Sequence, residues 1–166
     1  MTEVPLAAER QAERDAVLDA LSGSVPFNRH LGVRFDRLGD ELTGRLPFRP
    51  GLVGNPLLPA LHGGVTGSFL EITALVQLAW DQVLLLMEAG GPAADEIAAG
   101  RFPPMPKTID VTIDYLRSGG PRETFARATV QRAGRRVAHL HVVAWQDNRS
   151  RPIAMLRGNF LLSGED

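Results

Sequence analysis

The chain has 166 residues, 44% of them hydrophobic and 22% charged, which is the usual composition of one globular domain with its own core. Its formal net charge of -1 excludes the broad positive field that attracts nucleic acid or an anionic membrane. Because cysteine is absent, disulfides, thiolate metal sites and a cysteine nucleophile are excluded as well.

The N-terminal segment predicts a short amphipathic helix and not a targeting signal. Apolar residues recur at helical spacing from Leu6 to Leu21, and Ser22-Gly23-Ser24 ends the pattern. Acidic residues interrupt the segment, unlike a secretory or transit peptide, and we expect no later run of about 18 apolar residues that could span a bilayer. We therefore predict a cytoplasmic protein with no membrane partner, in which residues 1–26 form a helical extension and residues 27–166 the main domain.

The next segment predicts a hairpin and then a loop. The strand-like runs are Val33 to Leu38 and Glu41 to Phe48, and Gly39-Asp40 between them favours a tight turn. Apolar residues alternate with polar ones in the second run, which predicts one buried face. Pro50 to Pro59 is rich in glycine and proline and predicts an ordered loop without regular structure.

The middle of the chain predicts helices. His62 to Trp80 is apolar around most of its circumference, as in a helix surrounded by protein. Leu84 to Gly100 predicts a second helical piece with a break at Gly90-Gly91-Pro92. The prolines of Pro103-Pro104-Met105-Pro106 then return the chain to an extended conformation.

Four further strands are predicted in the remainder. They are Lys107 to Leu116, Glu123 to Arg132, Arg135 to Gln146, and Pro152 to Leu162. Their short links favour antiparallel neighbours. Two strands, a buried helix and four strands together predict an α+β fold, a six-stranded antiparallel sheet around a central helix, with the N-terminal helix added.

Candidate chemistry is concentrated at the start of the central helix. Backbone N–H groups at Gly63 and Gly64 suit negative charge developing on an acyl oxygen, although a simple helix-start turn uses the same glycines. Glu71 lies among apolar neighbours, so it is a candidate general base or nucleophile; the alternative is a carboxylate hydrogen-bonded at a subunit interface.

Four more residues are candidates for positioning a ligand. Asn55 can hold a carbonyl or a water, or merely turn the chain before proline. Ser68 lies on the small-sided helix face that includes Glu71, and His62 is a ligand donor or, as we favour, a hydrogen-bonding brace. Arg117 follows a strand and can meet phosphates, although solvated surface charge is the default for such a residue. The histidines lack metal-ligand spacing on a helix, so we expect no metal and no other cofactor.

Two motifs carry a family resemblance. At Leu61-His62-Gly63-Gly64 with Glu71 nine positions after the histidine, and at Asp110 to Arg117, the sequence resembles the hotdog acyl-CoA thioesterases of the phenylacetate-pathway type. The resemblance covers about Asn28 to Leu162. It implies that the Gly64 N–H polarises the thioester carbonyl and that Glu71 acts as base or nucleophile. The family's asparagine stands six residues before the histidine, whereas Asn55 stands seven before it.

The resemblance also implies an acyl-CoA substrate and a homodimer or homotetramer, with Glu71 of one chain facing the loop of another. One alternative is a hotdog protein that binds acyl-thioesters or lipids without turnover. A hotdog dehydratase or hydratase is disfavoured, because Gly51 stands at the dehydratase histidine position and neither an acid near Val53 nor a histidine near Leu58 is present.

Overall fold

A computed structural model describes residues 7–162 as four α-helices and eight β-strands. The helices are α1 (Ala7–Gly23), α2 (Pro26–Leu31), α3 (Gly63–Ala89) and α4 (Pro92–Ala98). The strands are β1 (Arg34–Leu38), β2 (Glu41–Leu46), β3 (Val53–Asn55), β4 (Ala60–Leu61), β5 (Lys107–Tyr115), β6 (Thr124–Ala133), β7 (Val137–Trp145) and β8 (Ala154–Leu161). All six predicted strands are present, and each end lies within two residues of its predicted position.

Six strands form one antiparallel sheet in the order β1-β2-β6-β7-β8-β5. The helix α3 packs on one face of this sheet and contacts β2, β5, β6, β7 and β8. This arrangement confirms the predicted α+β hotdog fold. Because β5 pairs only with β8, its other edge is open within the described residues.

The core lies between α3 and the sheet. Alternate residues of β7 and β8 are buried, as expected for strands with one face covered. Phe69 from α3 and Phe160 from β8 are fully buried in this core, and each such side chain stabilises the fold by about 1.5–3 kcal/mol. The sheet approaches the helix closely at Gly44, where an added Cβ would lie 3.0 Å from Thr73 Oγ1. The core therefore fixes α3 relative to the strands.

The central helix is one continuous element of 27 residues, about 40 Å long. The prediction of two pieces separated after Trp80 was wrong, because Asp81 and its neighbours continue the helix and the Gln77 amide donates to the Asp81 carboxylate at 2.8 Å. The helix ends at the break predicted at Gly90-Gly91-Pro92, where Gly90 has φ 72 and Gly91 has φ 73.

By length and composition α3 could cross a membrane, with a mean hydropathy of 1.5 in its most apolar window. The expectation that no segment reaches this apolar length was therefore wrong. However, 56% of that window is buried inside the fold, as the core helix of a hotdog domain requires. The apolar character of α3 is accounted for by packing against the sheet.

The N-terminal helix α1 packs onto the domain. Leu18 and Leu21 are both buried and belong to the same hydrophobic cluster as the core of the sheet. The helix is also tied by ion pairs, Arg14 to Glu88 at 2.9 Å and Asp15 to Arg37 at 3.2 Å. Residues of the extension thus contribute to one common core.

The segment Pro50 to Pro59 was predicted to be a loop without regular structure, and this prediction was wrong in part. Pro50–Leu52 is a 3-10 helix, and β3 pairs with β4 as a short antiparallel hairpin with an irregular register. One further hydrogen bond continues the hairpin beyond the Val53–Leu61 pair, from the His62 N–H to the Leu52 carbonyl at 2.9 Å. The sequence did not predict these strands because glycine and proline are uncommon in strands and leave no apolar alternation here.

Candidate functional site

The start of α3 is capped by the residue before it. His62 has extended backbone angles, φ -64 and ψ 133, and its Nδ1 accepts a hydrogen bond from the Gly64 N–H at 2.9 Å. An accepting Nδ1 requires the neutral ring with its hydrogen on Nε2, so the ring can donate outward from Nε2. In this structure the Gly64 N–H that was predicted to hold the thioester oxygen is bonded to the His62 ring.

The other early amides of α3 differ in their partners. The Val65 and Thr66 N–H groups both donate to the His62 carbonyl, at 3.0 and 3.1 Å. Among residues 7–162 no acceptor is assigned to the Gly63 N–H, and Gly63 is exposed. The first turn therefore presents one open donor at Gly63 and one donor at Gly64 that is shared with His62.

Neighbouring segments closely approach two glycines around this turn. An added Cβ at Gly54 would lie 2.7 Å from His62 Cα, so the β3–β4 hairpin is seated directly on the cap. An added Cβ at Gly67 would lie 3.0 Å from Ile113 Cδ1 and 3.2 Å from the Tyr115 hydroxyl. Gly67 on α3 thus lets β5 approach the helix start, and Gly54 on β3 lets the hairpin approach it.

Strand β5 is joined to α3 at two levels. The Tyr115 hydroxyl donates to the Gly63 carbonyl at 2.7 Å, next to the capped turn. Two helical turns further on, the Thr108 hydroxyl donates to Glu71 Oε1 at 2.5 Å. One strand therefore positions both the glycine turn and the carboxylate.

Glu71 is half-buried, and Thr108 supplies its hydrogen bond. No lysine, arginine or histidine in residues 7–162 forms an ion pair with it. Because no ion pair occupies this carboxylate, one of its oxygens is left to act as a base or a nucleophile. Sequence reasoning missed Thr108, because a lone threonine at the start of a strand gives no signal of a partner 37 residues away.

Asn55 lies at the exposed tip of the hairpin. Its Oδ1 accepts from the Leu57 N–H at 3.0 Å, an arrangement that turns the chain. The oxygen is thereby engaged, and the side-chain NH2 is the part that can donate to a ligand or a water. Asn55 can therefore form the turn through Oδ1 and still orient a ligand or a water through its NH2 group.

The structure places the remaining two candidates differently, because Ser68 lies three residues before Glu71 on α3 and so on the same side of the helix. Ser68 is half-buried on α3. Arg117 follows β5 and donates to the Pro152 carbonyl at 2.8 Å, so one of its nitrogens fastens two loops together. His62, Gly63 and Gly64 are brought together in one turn, whereas Arg117 lies in a separate pocket formed by the loops at one end of the sheet.

A second carboxylate of α3, Asp81, is partly buried. Burial raises the pKa of Asp81, and the hydrogen bond from the Gln77 amide partly offsets that increase. Residues 7–162 contain no group of three or more histidines and carboxylates that could hold a metal ion.

Comparisons with known proteins bear on this site. Residues 58–161 match the family model described as "Acyl-CoA thioesterase N-terminal domain". The "Medium/long-chain acyl-CoA thioesterase YigI" of Escherichia coli K12 is 35% identical over 116 residues, which cover 69% of this chain and 71% of the relative. The YigI protein of Salmonella typhimurium is 34% identical over the same number of residues.

Solved structures share the fold. A protein from Chromobacterium violaceum is 30% identical, with a TM-score of 0.64 over 97% of this chain and 100% of that chain. The PaaI protein of E. coli, from the phenylacetic acid degradation operon, has a TM-score of 0.68 at 14% identity, over 92% of this chain and 95% of its own, which is a likeness of fold alone.

A long helix on an antiparallel sheet, begun by a His-Gly-Gly turn, places the protein among the hotdog proteins. The chain belongs to the acyl-CoA thioesterase family, as the family match and the 35% identical relative both show. It is a thioester hydrolase that acts on acyl-CoA. This assignment favours hydrolysis over binding without turnover and over hotdog dehydration.

Proposed function

We propose that the protein hydrolyses acyl-CoA thioesters of medium or long acyl chains, with Glu71 as the catalytic carboxylate. The chain-length class is supported by the name of the E. coli relative. The observation that carries the role of Glu71 is its half-buried carboxylate, held by Thr108 at 2.5 Å and forming no ion pair in the described part of the chain.

The proposed reaction uses the first turn of α3 to hold the thioester oxygen. The Gly64 N–H exchanges the His62 ring for the carbonyl oxygen, and the Gly63 N–H lies beside it. Water adds to the carbonyl carbon while Glu71 accepts a proton from it, and the carbonyl electron pair moves to the oxygen. Collapse of this intermediate breaks the C–S bond, and the departing CoA sulfur takes the proton from Glu71.

A second route remains open for Glu71. Its carboxylate oxygen can attack the carbonyl carbon directly, which expels CoA and forms a mixed anhydride that water then hydrolyses. Both routes need the same oxygen site at Gly64, and both release the free acid and CoA. In either route Asn55 is proposed to orient the water or the carbonyl through its side-chain NH2, while His62, Gly63 and Ser68 contact the substrate.

The substrate chain has a proposed position as well. The segment after α3 packs apolar residues against the core, with Ile97 buried and Phe102 and Met105 half-buried. We propose that this segment covers the acyl chain. Its apolar side chains favour hydrocarbon over polar acyl groups.

We further propose that the complete site forms between two chains. Along α3 the seven residues from Gly64 to Glu71 correspond to about 10 Å, which is long for one carbonyl group to bridge within a single chain. The open edge of β5 exposes apolar residues, with Ile109 at 55% and Tyr115 at 57% relative exposure. Pairing of two β5 edges would form a homodimer, and pairing of two such dimers a tetramer. Residence in the cytoplasm stays a prediction.

The direct test is release of CoA thiol from a series of saturated acyl-CoAs of increasing length. Glu71→Ala and Glu71→Gln are expected to lower kcat by about 1000-fold or more, because each removes the carboxylate that both routes need. Glu13→Gln, a change of an exposed glutamate on α1, is the matched control and should retain wild-type activity. Wild-type turnover in a folded Glu71→Ala protein would rule out this role.

A further inference from the structure

An arginine-lined pocket lies at one end of the sheet, where the β5–β6 loop meets the β7–β8 loop. The pocket has a volume of about 230 Å³, and Arg117, Arg122 and Arg151 line it together with Ser118 and Asn148. Its one carboxylate, on Asp147, pairs with Arg122 at 2.8 Å. In a chain of net charge -1, three guanidinium groups facing one carboxylate are a local concentration of positive charge.

The arginines differ in how much of their hydrogen-bonding capacity is already used. Arg117 donates one nitrogen to the Pro152 carbonyl at 2.8 Å. The Arg122–Asp147 pair is exposed, at 55% and 71% of the two side chains, so solvent already weakens it. No ion pair or side-chain hydrogen bond within residues 7–162 is assigned to the Arg151 guanidinium. Most of the donors are therefore available to an anion.

The pocket is held rigidly by a buried glutamine. Gln146 is 7% exposed and bonds to both the N–H and the carbonyl of Gly120, each at 2.9 Å. Its amide also donates to the Arg122 carbonyl at 3.3 Å and to Thr124 Oγ1 at 3.1 Å. Because these bonds fix the backbone that carries Arg122, an anion would bind without first ordering the loop.

A backbone hydrogen bond connects the pocket to the start of α3. The Leu61 N–H donates to the Gly119 carbonyl at 2.8 Å, and Leu61 directly precedes the His62-Gly63-Gly64 turn. An added Cβ on Gly119 would lie 3.2 Å from Leu61 Cδ1, so the two segments are in contact. A ligand whose carbonyl is held at Gly64 can thus extend across Leu61 and Gly119 to the arginines.

We propose that this arginine pocket binds phosphate groups of the CoA moiety and so selects CoA thioesters over thioesters that lack the nucleotide. The proposal rests on the proposed function, in which an acyl-CoA lies with its thioester at Gly64. Guanidinium groups suit phosphate oxygens because they offer several N–H donors in a planar fork. Either the 3′-phosphate or the diphosphate of CoA has this chemistry.

The test compares three thioesters of one acyl group: acyl-CoA, acyl-dephospho-CoA and acyl-pantetheine. Arg151→Ala and Arg122→Ala are expected to raise KM for acyl-CoA about tenfold with kcat unchanged, and to leave KM for acyl-pantetheine unchanged. If the 3′-phosphate is the bound group, acyl-dephospho-CoA will behave like acyl-pantetheine; if the diphosphate is bound, it will behave like acyl-CoA. Equal changes in KM for acyl-CoA and acyl-pantetheine, or no change for either, would overturn the proposal.

Two further variants separate phosphate binding from loop structure. Asp147→Asn removes the competing carboxylate, so KM for acyl-CoA should fall, and this effect should shrink as salt is raised. Arg135→Ala changes an arginine beyond the opposite end of β7 and should leave every KM unchanged. A rise in KM with Asp147→Asn would contradict the proposed competition.

Binding of adenosine 3′,5′-bisphosphate, measured by calorimetry, tests the pocket without turnover. Weaker binding by Arg151→Ala than by Arg135→Ala supports the pocket, and equal binding contradicts it. If the wild-type protein cleaves none of the three thioesters, the proposed function fails, and this titration alone decides on the pocket.

Discussion

At the scale of single residues, the carboxylate of Glu71 depends on one partner that lies far away in the chain. Thr108, the second residue of β5, donates to it at 2.5 Å. A hydroxyl at this distance restricts the rotamers of the glutamate, and so fixes the direction in which the second carboxylate oxygen points. Thr108 is therefore a positioning residue for Glu71.

Thr108→Val is expected to lower kcat about 10- to 100-fold with little change in KM, because the isosteric side chain keeps the packing but loses the donor. Thr108→Ser should recover most of the lost kcat, since it restores the hydroxyl. Steady-state kinetics of the three proteins check both statements. A parallel loss in Thr108→Ser and Thr108→Val would point to packing instead.

Asp81 makes the stability of the fold depend on pH. Its pKa is raised by burial, so the folded state favours the protonated form more than the unfolded chain does. Below the ordinary aspartate pKa of about 4, this preference contributes fully to the free energy of unfolding. The contribution is lost as the pH rises through the raised pKa of Asp81 in the folded state.

Asp81→Asn should therefore be more stable than wild type at pH 8, and the difference should vanish towards pH 3. Urea unfolding at a series of pH values measures the difference in the free energy of unfolding between the two proteins. Asp95→Asn, at an exposed position on α4, is the control and should show no such trend. A constant difference between Asp81→Asn and wild type at all pH values would contradict the raised pKa.

At the scale of elements, the β3–β4 hairpin and the start of α3 act as one unit. Gly54 lies against His62 so closely that a methyl group would overlap the backbone, at 2.7 Å from Cα. His62 in turn caps the Gly64 N–H. A shift of the hairpin would therefore displace His62 and, with it, the backbone amides proposed to hold the thioester oxygen.

Gly54→Ala is expected to destabilise the protein by about 1–3 kcal/mol and to lower kcat/KM, because the hairpin must move away from His62. Gly51→Ala is the matched control in the same segment, since nothing lies within 4 Å of the added methyl group. Thermal unfolding and the thiol-release assay compare the two. Equal behaviour of Gly54→Ala and Gly51→Ala would show that the close contact is not critical.

The elements themselves were predictable to different degrees. The six strands of the large sheet were predicted as strand-like runs between turn signals, and alternation predicted the buried face of β2. The helix α3 was predicted to end at Trp80 and a second piece to begin at Leu84, whereas the partly buried carboxylate of Asp81, bonded to Gln77, fits inside one continuous helix. The β3–β4 hairpin was missed because its strands are only three and two residues long and lie in a segment rich in glycine and proline.

At the scale of the whole molecule, the sheet has two unlike edges. At the β1 edge Leu38 is 80% exposed, and at the β5 edge Ile109 is 55% exposed. Of these two edge strands, β5 is the one that within residues 7–162 hydrogen-bonds to Glu71 and to the glycine turn, through Thr108 and Tyr115. Association through β5 would thus bring a second chain next to the proposed site.

Ile109→Glu is expected to weaken the dimer and to lower activity with it, because the charge would be buried at the β5 edge. Leu38→Glu, at the other edge, is the control and should change neither. Sedimentation velocity and turnover at matched concentrations measure the two effects. A monomeric wild-type protein with full activity would contradict the shared site.

Mixed dimers test the composition of the site directly. If Gly64 and Glu71 of one site come from different chains, co-expression of Glu71→Ala with Gly64→Val gives heterodimers with one intact site. Activity should then reappear, although each variant alone is inactive. No recovery in purified heterodimers would place both residues in the same chain.

By itself the sequence determined the fold class, the central helix and the short motif that holds the glycine turn and Glu71, because periodicity and local spacing are properties of neighbouring residues. The tertiary structure decided what these residues meet. It joined Thr108 to Glu71, seated Gly54 on His62, gave the Gly64 N–H a partner and gathered three arginines from two loops. Such contacts join residues that are distant in the chain or depend on side-chain direction, and only the packing of the sheet around α3 fixes them.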